Sequence, residues 1–184
     1  MVYYDKKGSD NTEKTLQIAR DEAIKRCIKY VVVASTRGST GLQAVQMLQN
    51  TGIKLVVVGH STGHREIGQQ LMDSELKKQI ENLGGVVCIG TDALTSFPTA
   101  MKAKGRFSEQ TLIADVLRMF GSGVKVCIEI VAMASDANLL PVEDVIAVAG
   151  SSRGADTSVI IAANSSNQFF DIKVREILAK PRDF

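Results

Sequence analysis

The chain is predicted to fold as an α/β protein, a three-layer α/β/α arrangement around a mostly parallel sheet. Two observations carry this. Short, fully apolar runs rich in Val and Ile recur at Tyr30–Ala34, Lys54–Gly59, Val86–Ile89, Asp144–Ala149 and Ser158–Ala163. They lack the polar alternation of a half-exposed strand, so they read as strands buried on both faces. Through the first half, segments with helical spacing separate them, and that alternation favours parallel strands with helices on both sides of the sheet.

The elements follow in order. A helix is expected to begin near Asn11 or Thr12, with Glu13 in its first turn and Leu16, Ala19, Ala23 and Cys27 along one face. After the first strand, Ser39–Gln49 reads as a helix with Leu42, Val45 and Leu48 aligned, stopped by Asn50, Thr51 and Gly52. Ile67, Leu71, Met72, Leu76 and Ile80 mark a further helix, closed by Gly84 and Gly85. Thr91–Arg106 has no clear periodicity, and a connection of that length is often functional. Ser108 is placed to cap a helix whose stripe is Leu112, Val116 and Phe120, ended by Gly121–Gly123. Val124–Leu140 fits both strand alternation and a helical face; its length and the terminal Leu140–Pro141 favour a helix. Phe169–Ala179 reads as either strand or helix. With no linker and no low-complexity segment, residues 1–184 are expected to form one domain.

Composition narrows the function. The 184 residues carry a net charge of +2, with 45% hydrophobic and 23% charged residues. That charge is too small to argue for nucleic acid or an acidic membrane surface. Aromatic residues make up 5% and Trp is absent, which disfavours base-stacking platforms. No apolar run approaches the roughly 20 residues of a membrane span, and the N-terminus lacks a signal-peptide core, so a cytoplasmic protein is expected. Cys27, Cys88 and Cys127 are widely spaced within apolar patterns and read as free buried thiols.

The chemistry is expected at the strand ends. Val31–Ala34 passes directly into Ser35, Thr36, Arg37, Gly38, Ser39, Thr40 and Gly41 and then into a helix. A strand–loop–helix junction of this composition offers backbone N–H groups, hydroxyls and a guanidinium to an anion, most naturally a phosphate. It is neither a Walker loop nor Gly-x-Gly-x-x-Gly. Similar chemistry recurs at Gly150, Ser151, Ser152, Arg153, Gly154, Asp156 and Thr157. There Arg153 would clamp a phosphate and Asp156 would accept hydrogen bonds from a ribityl, ribose or sugar hydroxyl. The same segment also reads as a plain hairpin turn. His60 and Arg65 follow the second strand, and Gly90, Thr91 and Asp92 follow the third, where α/β sheets bind ligands. Thr95, Ser96 and Lys102 lie in the long connection, a candidate lid, with Phe97 or Phe107 as covers for a flat ring or anchors for the loop. A metal is not expected. His60 and His64 flank Gly63 in a loop, and no Cys or carboxylate lies close enough in sequence to complete a set. No Gly-x-Ser-x-Gly elbow is present, and Glu129 and Asp136 suggest no acid–base pair, so no catalytic residue is assigned.

The loops Ser35–Gly41 and Gly150–Thr157 resemble those of the C-terminal α/β domain of pyruvate kinase, where, in allosteric members, they hold a sugar bisphosphate effector. The segments Val124–Ile130, Met133–Pro141, Asp144–Gly150, Arg153–Thr157 and Phe170–Arg182 are similar to a family of small stand-alone proteins that resemble this domain alone. That resemblance covers nearly the whole chain and implies flavin mononucleotide (FMN) as the cofactor. Pyruvate kinase performs its chemistry in a separate β/α barrel, for which this chain is too short, so that activity is expected to be absent. The resemblance also implies self-association, since pyruvate kinase uses this domain at subunit contacts. The leading expectation is therefore binding of a phosphorylated small molecule. The alternatives are a flavin-dependent oxidoreductase and a sugar-phosphate-sensing regulatory protein.

Overall fold

In the computed structural model, which describes residues 1–184, the apolar runs pair into one seven-stranded sheet of order β1-β7-β6-β5-β2-β3-β4. The strands are β1 (Val2–Tyr4), β2 (Tyr30–Ala34), β3 (Lys54–Gly59), β4 (Val86–Ile89), β5 (Asp144–Ala149), β6 (Thr157–Ala162) and β7 (Lys173–Pro181). β5, β2, β3 and β4 run parallel, while β6 lies antiparallel between β5 and β7. The α/β class and the mostly parallel sheet are as the sequence predicts.

Side-chain alternation along the strands divides the core into two. Val31 and Val33, Leu55 and Val57, and Ile146 and Val148 point to one face, where they meet Leu16, Ala19 and Ala23 of α1 (Thr12–Lys25) and Ala44 and Val45 of α2 (Ser39–Met47). Ile80 of α3 (Ser74–Asn82) completes that layer. Val32, Val56, Val58, Val145, Ala147 and Ala149 point the other way, onto α6 (Ser122–Asp136). Each buried Val or Ile contributes roughly 1.5–3 kcal/mol relative to exposure. α6 buries Val124, Cys127, Ile128, Ile130, Val131, Met133 and Ala134, which is why no single face stands out in its sequence.

Several elements differ from the sequence reading. The helix expected from Ile67 begins only at Ser74, where Asp73 accepts hydrogen bonds from the N–H groups of Glu75 (2.9 Å) and Leu76 (3.0 Å). Residues 60–73 form a loop closed on itself: Gln70 Nε2 donates to the His60 carbonyl (3.2 Å) and to Thr62 Oγ1 (3.1 Å), leaving Ile67 fully exposed. The aperiodic 91–106 segment contains α4 (Ser96–Ala103). α5 (Glu109–Arg118) forms as expected but buries only Ala114, so Leu112 and Val116, and Phe120 just beyond it, stay exposed rather than facing the core. β1, a three-residue edge strand parallel to β7, is too short for any periodicity. The ambiguous C-terminal segment is the strand β7, preceded by a 3-10 turn.

Cys88 and Cys127 are buried, but Cys27 is exposed just after α1, against the expectation of three buried thiols. Burial pushes the Cys88 and Cys127 thiols up, the latter further through the negative Asp156 nearby. Iodoacetamide is therefore expected to modify Cys27 alone in the native protein and all three cysteines in denaturant, counted by intact-mass measurement.

Candidate functional site at the carboxyl ends of the strands

Four parallel strands deliver four loops to one edge of the sheet. Register places Val33 beside Val148, Ala34 beside Val58, and Gly59 beside Ile89. The loops after β5, β2, β3 and β4 therefore stand side by side in that order. The chain leaves β2 toward β3 and leaves β5 toward β6, in opposite directions. A crevice at adjacent parallel strands with diverging connections is the usual ligand position in open α/β sheets.

In the first loop, Ser35 is buried and its Oγ accepts from the Gly41 N–H at 3.1 Å. This fixes the turn and satisfies one early amide of α2. Gly38 holds the N-cap position at φ 103° with no side-chain cap, and the first intrahelical bond runs from the Leu42 N–H to the Gly38 carbonyl (2.8 Å), so the Ser39 and Thr40 amides have no intrahelical acceptor. Thr40 and Gly41 are buried, Thr36 is half-buried, and Arg37 and Ser39 are exposed. A Cβ on Gly38 would meet Leu76 Cβ at 2.8 Å, so this glycine is required by both backbone and packing.

The second loop is the β5–β6 hairpin turn, and its polar groups are largely consumed within the chain. Asp156 is wholly buried. Its carboxylate accepts from the Gly8 N–H (3.0 Å), the Ser151 N–H (3.0 Å) and Oγ (3.2 Å), and Thr157 Oγ1 (2.9 Å). The Ala155 N–H donates to Thr12 Oγ1 at 3.0 Å, and a Cβ on Gly154 (φ 71°) would meet Ser9 Cα at 2.6 Å. Asp156, Gly154 and Thr157 thus shape the loop against the N-terminal segment. Asp156, with these donors around it, is not free to accept from a ligand hydroxyl as the sequence reading expected. Gly150 and Ser151 are half-buried at the strand end, and Arg153 is exposed.

His60 and Arg65 lie in the loop after β3, and Thr91 after β4; Arg65 and Thr91 are exposed. His60 does not stand alone. Its Nδ1 lies 3.3 Å from Asp92 Oδ1, and His64 Nδ1 lies 3.4 Å from Asp92 Oδ2. The two imidazoles stack with centroids 3.8 Å apart. Burial pushes the Asp92 carboxyl up, but hydrogen bonds and charge from His60 and His64 outweigh it and hold it below the usual range. Sequence distance concealed this cluster, because β4 carries Asp92 back beside residues about thirty positions earlier.

Behind it, Lys125 and Glu129 form a buried ion pair one turn apart on α6. Glu129 Oε1 accepts from the Leu94 N–H (2.8 Å) and Thr95 Oγ1 (2.9 Å), and Lys125 Nζ donates to Thr95 Oγ1 (3.0 Å). The start of the long connection is therefore fastened to the core rather than free to act as a lid. Two surface cavities of about 200 and 280 Å³ touch neither residues 35–41 nor 150–157.

No protein-family model matches the chain. Among solved structures, it is similar to Cryptosporidium parvum pyruvate kinase in complex with ADP, with TM-score 0.43 and 13% identity over 83% of this chain. The match covers 24% of that protein, so the chain spans about a quarter of its length. No helix is long and apolar enough to cross a membrane.

Proposed function

We propose that this protein binds a phosphate-bearing small molecule across the carboxyl ends of β2 and β5, and that FMN is the leading candidate. The observation that carries this reading is the juxtaposition of the Ser35–Gly41 and Gly150–Arg153 loops where the chain diverges from two adjacent parallel strands. The Ser39 and Thr40 amides and the positive end of α2 suit an anion, at roughly 0.3–1 kcal/mol for the helix field alone. The exposed guanidiniums of Arg37 and Arg153 stand on the two loops as phosphate partners. FMN within this class rests on the sequence resemblance, as does the proposal that the chain self-associates, which light scattering would read as a mass above one chain.

The test is an absorbance spectrum of the purified protein, followed by mass spectrometry of whatever denaturation releases. Flavin bands and a mononucleotide mass are the expected result; a colourless protein releasing a sugar phosphate would replace FMN and keep the phosphate site. Arg37→Ala is expected to weaken FMN binding about tenfold or more by titration, the loss of one charge-assisted contact. Unchanged affinity would remove the first loop from the site. Gly38→Val is unsuited to this purpose, because its clash with Leu76 destabilises the fold itself.

A further inference from the structure

We propose that His60, His64 and Asp92 form a binding site for a divalent transition-metal ion of the zinc class. Their ligand atoms all lie within 4.8 Å of one another. The spacing around one oxygen is informative. Asp92 Oδ2 stands 3.4 Å from His60 Nδ1 and 3.4 Å from His64 Nδ1. Ligands held about 2.0–2.1 Å from a tetrahedral zinc are separated by about 3.3–3.4 Å, the edge of the tetrahedron. A direct charge-assisted hydrogen bond between imidazole and carboxylate is shorter, about 2.7–2.9 Å. Without an ion these contacts serve as long hydrogen bonds to Asp92; ion binding would swing the stacked imidazoles apart so that both Nδ1 lone pairs converge on it.

The surroundings suit the assignment. Asp92 is 4% exposed, and the Ser61 and Ser96 hydroxyls each stand 3.4 Å from its Oδ2. The Asp92 N–H donates to Ser96 Oγ at 3.0 Å, which holds that hydroxyl beside the carboxylate it supports. The His60 carbonyl is anchored by Gln70. The histidine side chains, 36% and 28% exposed, leave an approach from solvent. Three protein ligands of this kind leave a fourth position for water or an exogenous ligand. The proposal does not depend on the phosphate reading.

Zinc chloride titrated calorimetrically into the full chain, with the exposed Cys27 replaced by Ser, tests it. One ion per chain is expected, with magnesium giving no binding. Cobalt(II) is expected to give the visible absorption of a four-coordinate site. Asp92 is buried and its replacement endangers folding, so His60→Gln and His64→Gln, at more accessible positions, carry the comparison. Each is expected to weaken zinc binding by about 100-fold or more, beyond the loss of an outer-shell partner, with an unchanged melting temperature without metal. No zinc binding, or binding that survives either substitution, would overturn the site.

Discussion

Glu129→Ala is expected to destabilise the protein by about 3–5 kcal/mol, read as a fall in urea midpoint at constant slope. The substitution leaves the Lys125 ammonium, 3% exposed as a residue, without its counter-charge. It also removes the acceptor for the Leu94 N–H and Thr95 hydroxyl. The double variant Lys125→Met/Glu129→Leu is expected to recover much of the loss, because replacing both charges with apolar groups of similar volume removes the penalty of the orphan. It does not restore the Leu94 contact, so amide exchange around Leu94–Ser96 is expected to remain faster than in the parent. Equal destabilisation by the single and double variants would mean that the pair acts through its contacts to the loop rather than through charge compensation.

Asp156→Ala has the second large expected effect, about 3 kcal/mol, because several donors around a wholly buried carboxylate lose their acceptor together. The Gly8 N–H is among them, so the effect reaches from the β5–β6 turn to the N-terminal segment. The exposed carboxylate of Asp115, paired with Arg118, is the comparison: Asp115→Asn is expected to change stability by less than about 1 kcal/mol. Similar midpoints for the two variants would show that Asp156 does not hold the turn.

The contrast between these positions explains what the sequence made legible. β2, β3 and β5 are continuous apolar runs because they are buried on both faces, and that environment writes itself into residue type. The Ser35–Gly41 junction is local and readable for the same reason, since the strand, turn and helix start are contiguous. The apolar Ile67 and Leu71 extended the helical periodicity falsely into a loop, whereas the helix starts only after Asp73, whose side chain caps it. The His60–His64–Asp92 cluster and the contacts of Asp156 to Gly8 arise from strand order and from packing of the N-terminal segment, which spacing along the chain does not encode. Glu129 offered no chemistry by its spacing; the burial of α6 makes it a structural charge.

Amide shift mapping shows where on the protein a phosphate-bearing ligand sits. FMN would be titrated into isotopically labelled protein, with inorganic phosphate in a parallel series. The largest shifts are expected at the Ser39 and Thr40 amides and at Gly150–Arg153, with the phosphate series reproducing the first group. Shifts centred elsewhere, such as on the cavity lined by Val45, Asn50 and Leu83, or no saturable shifts from either compound, would contradict that placement.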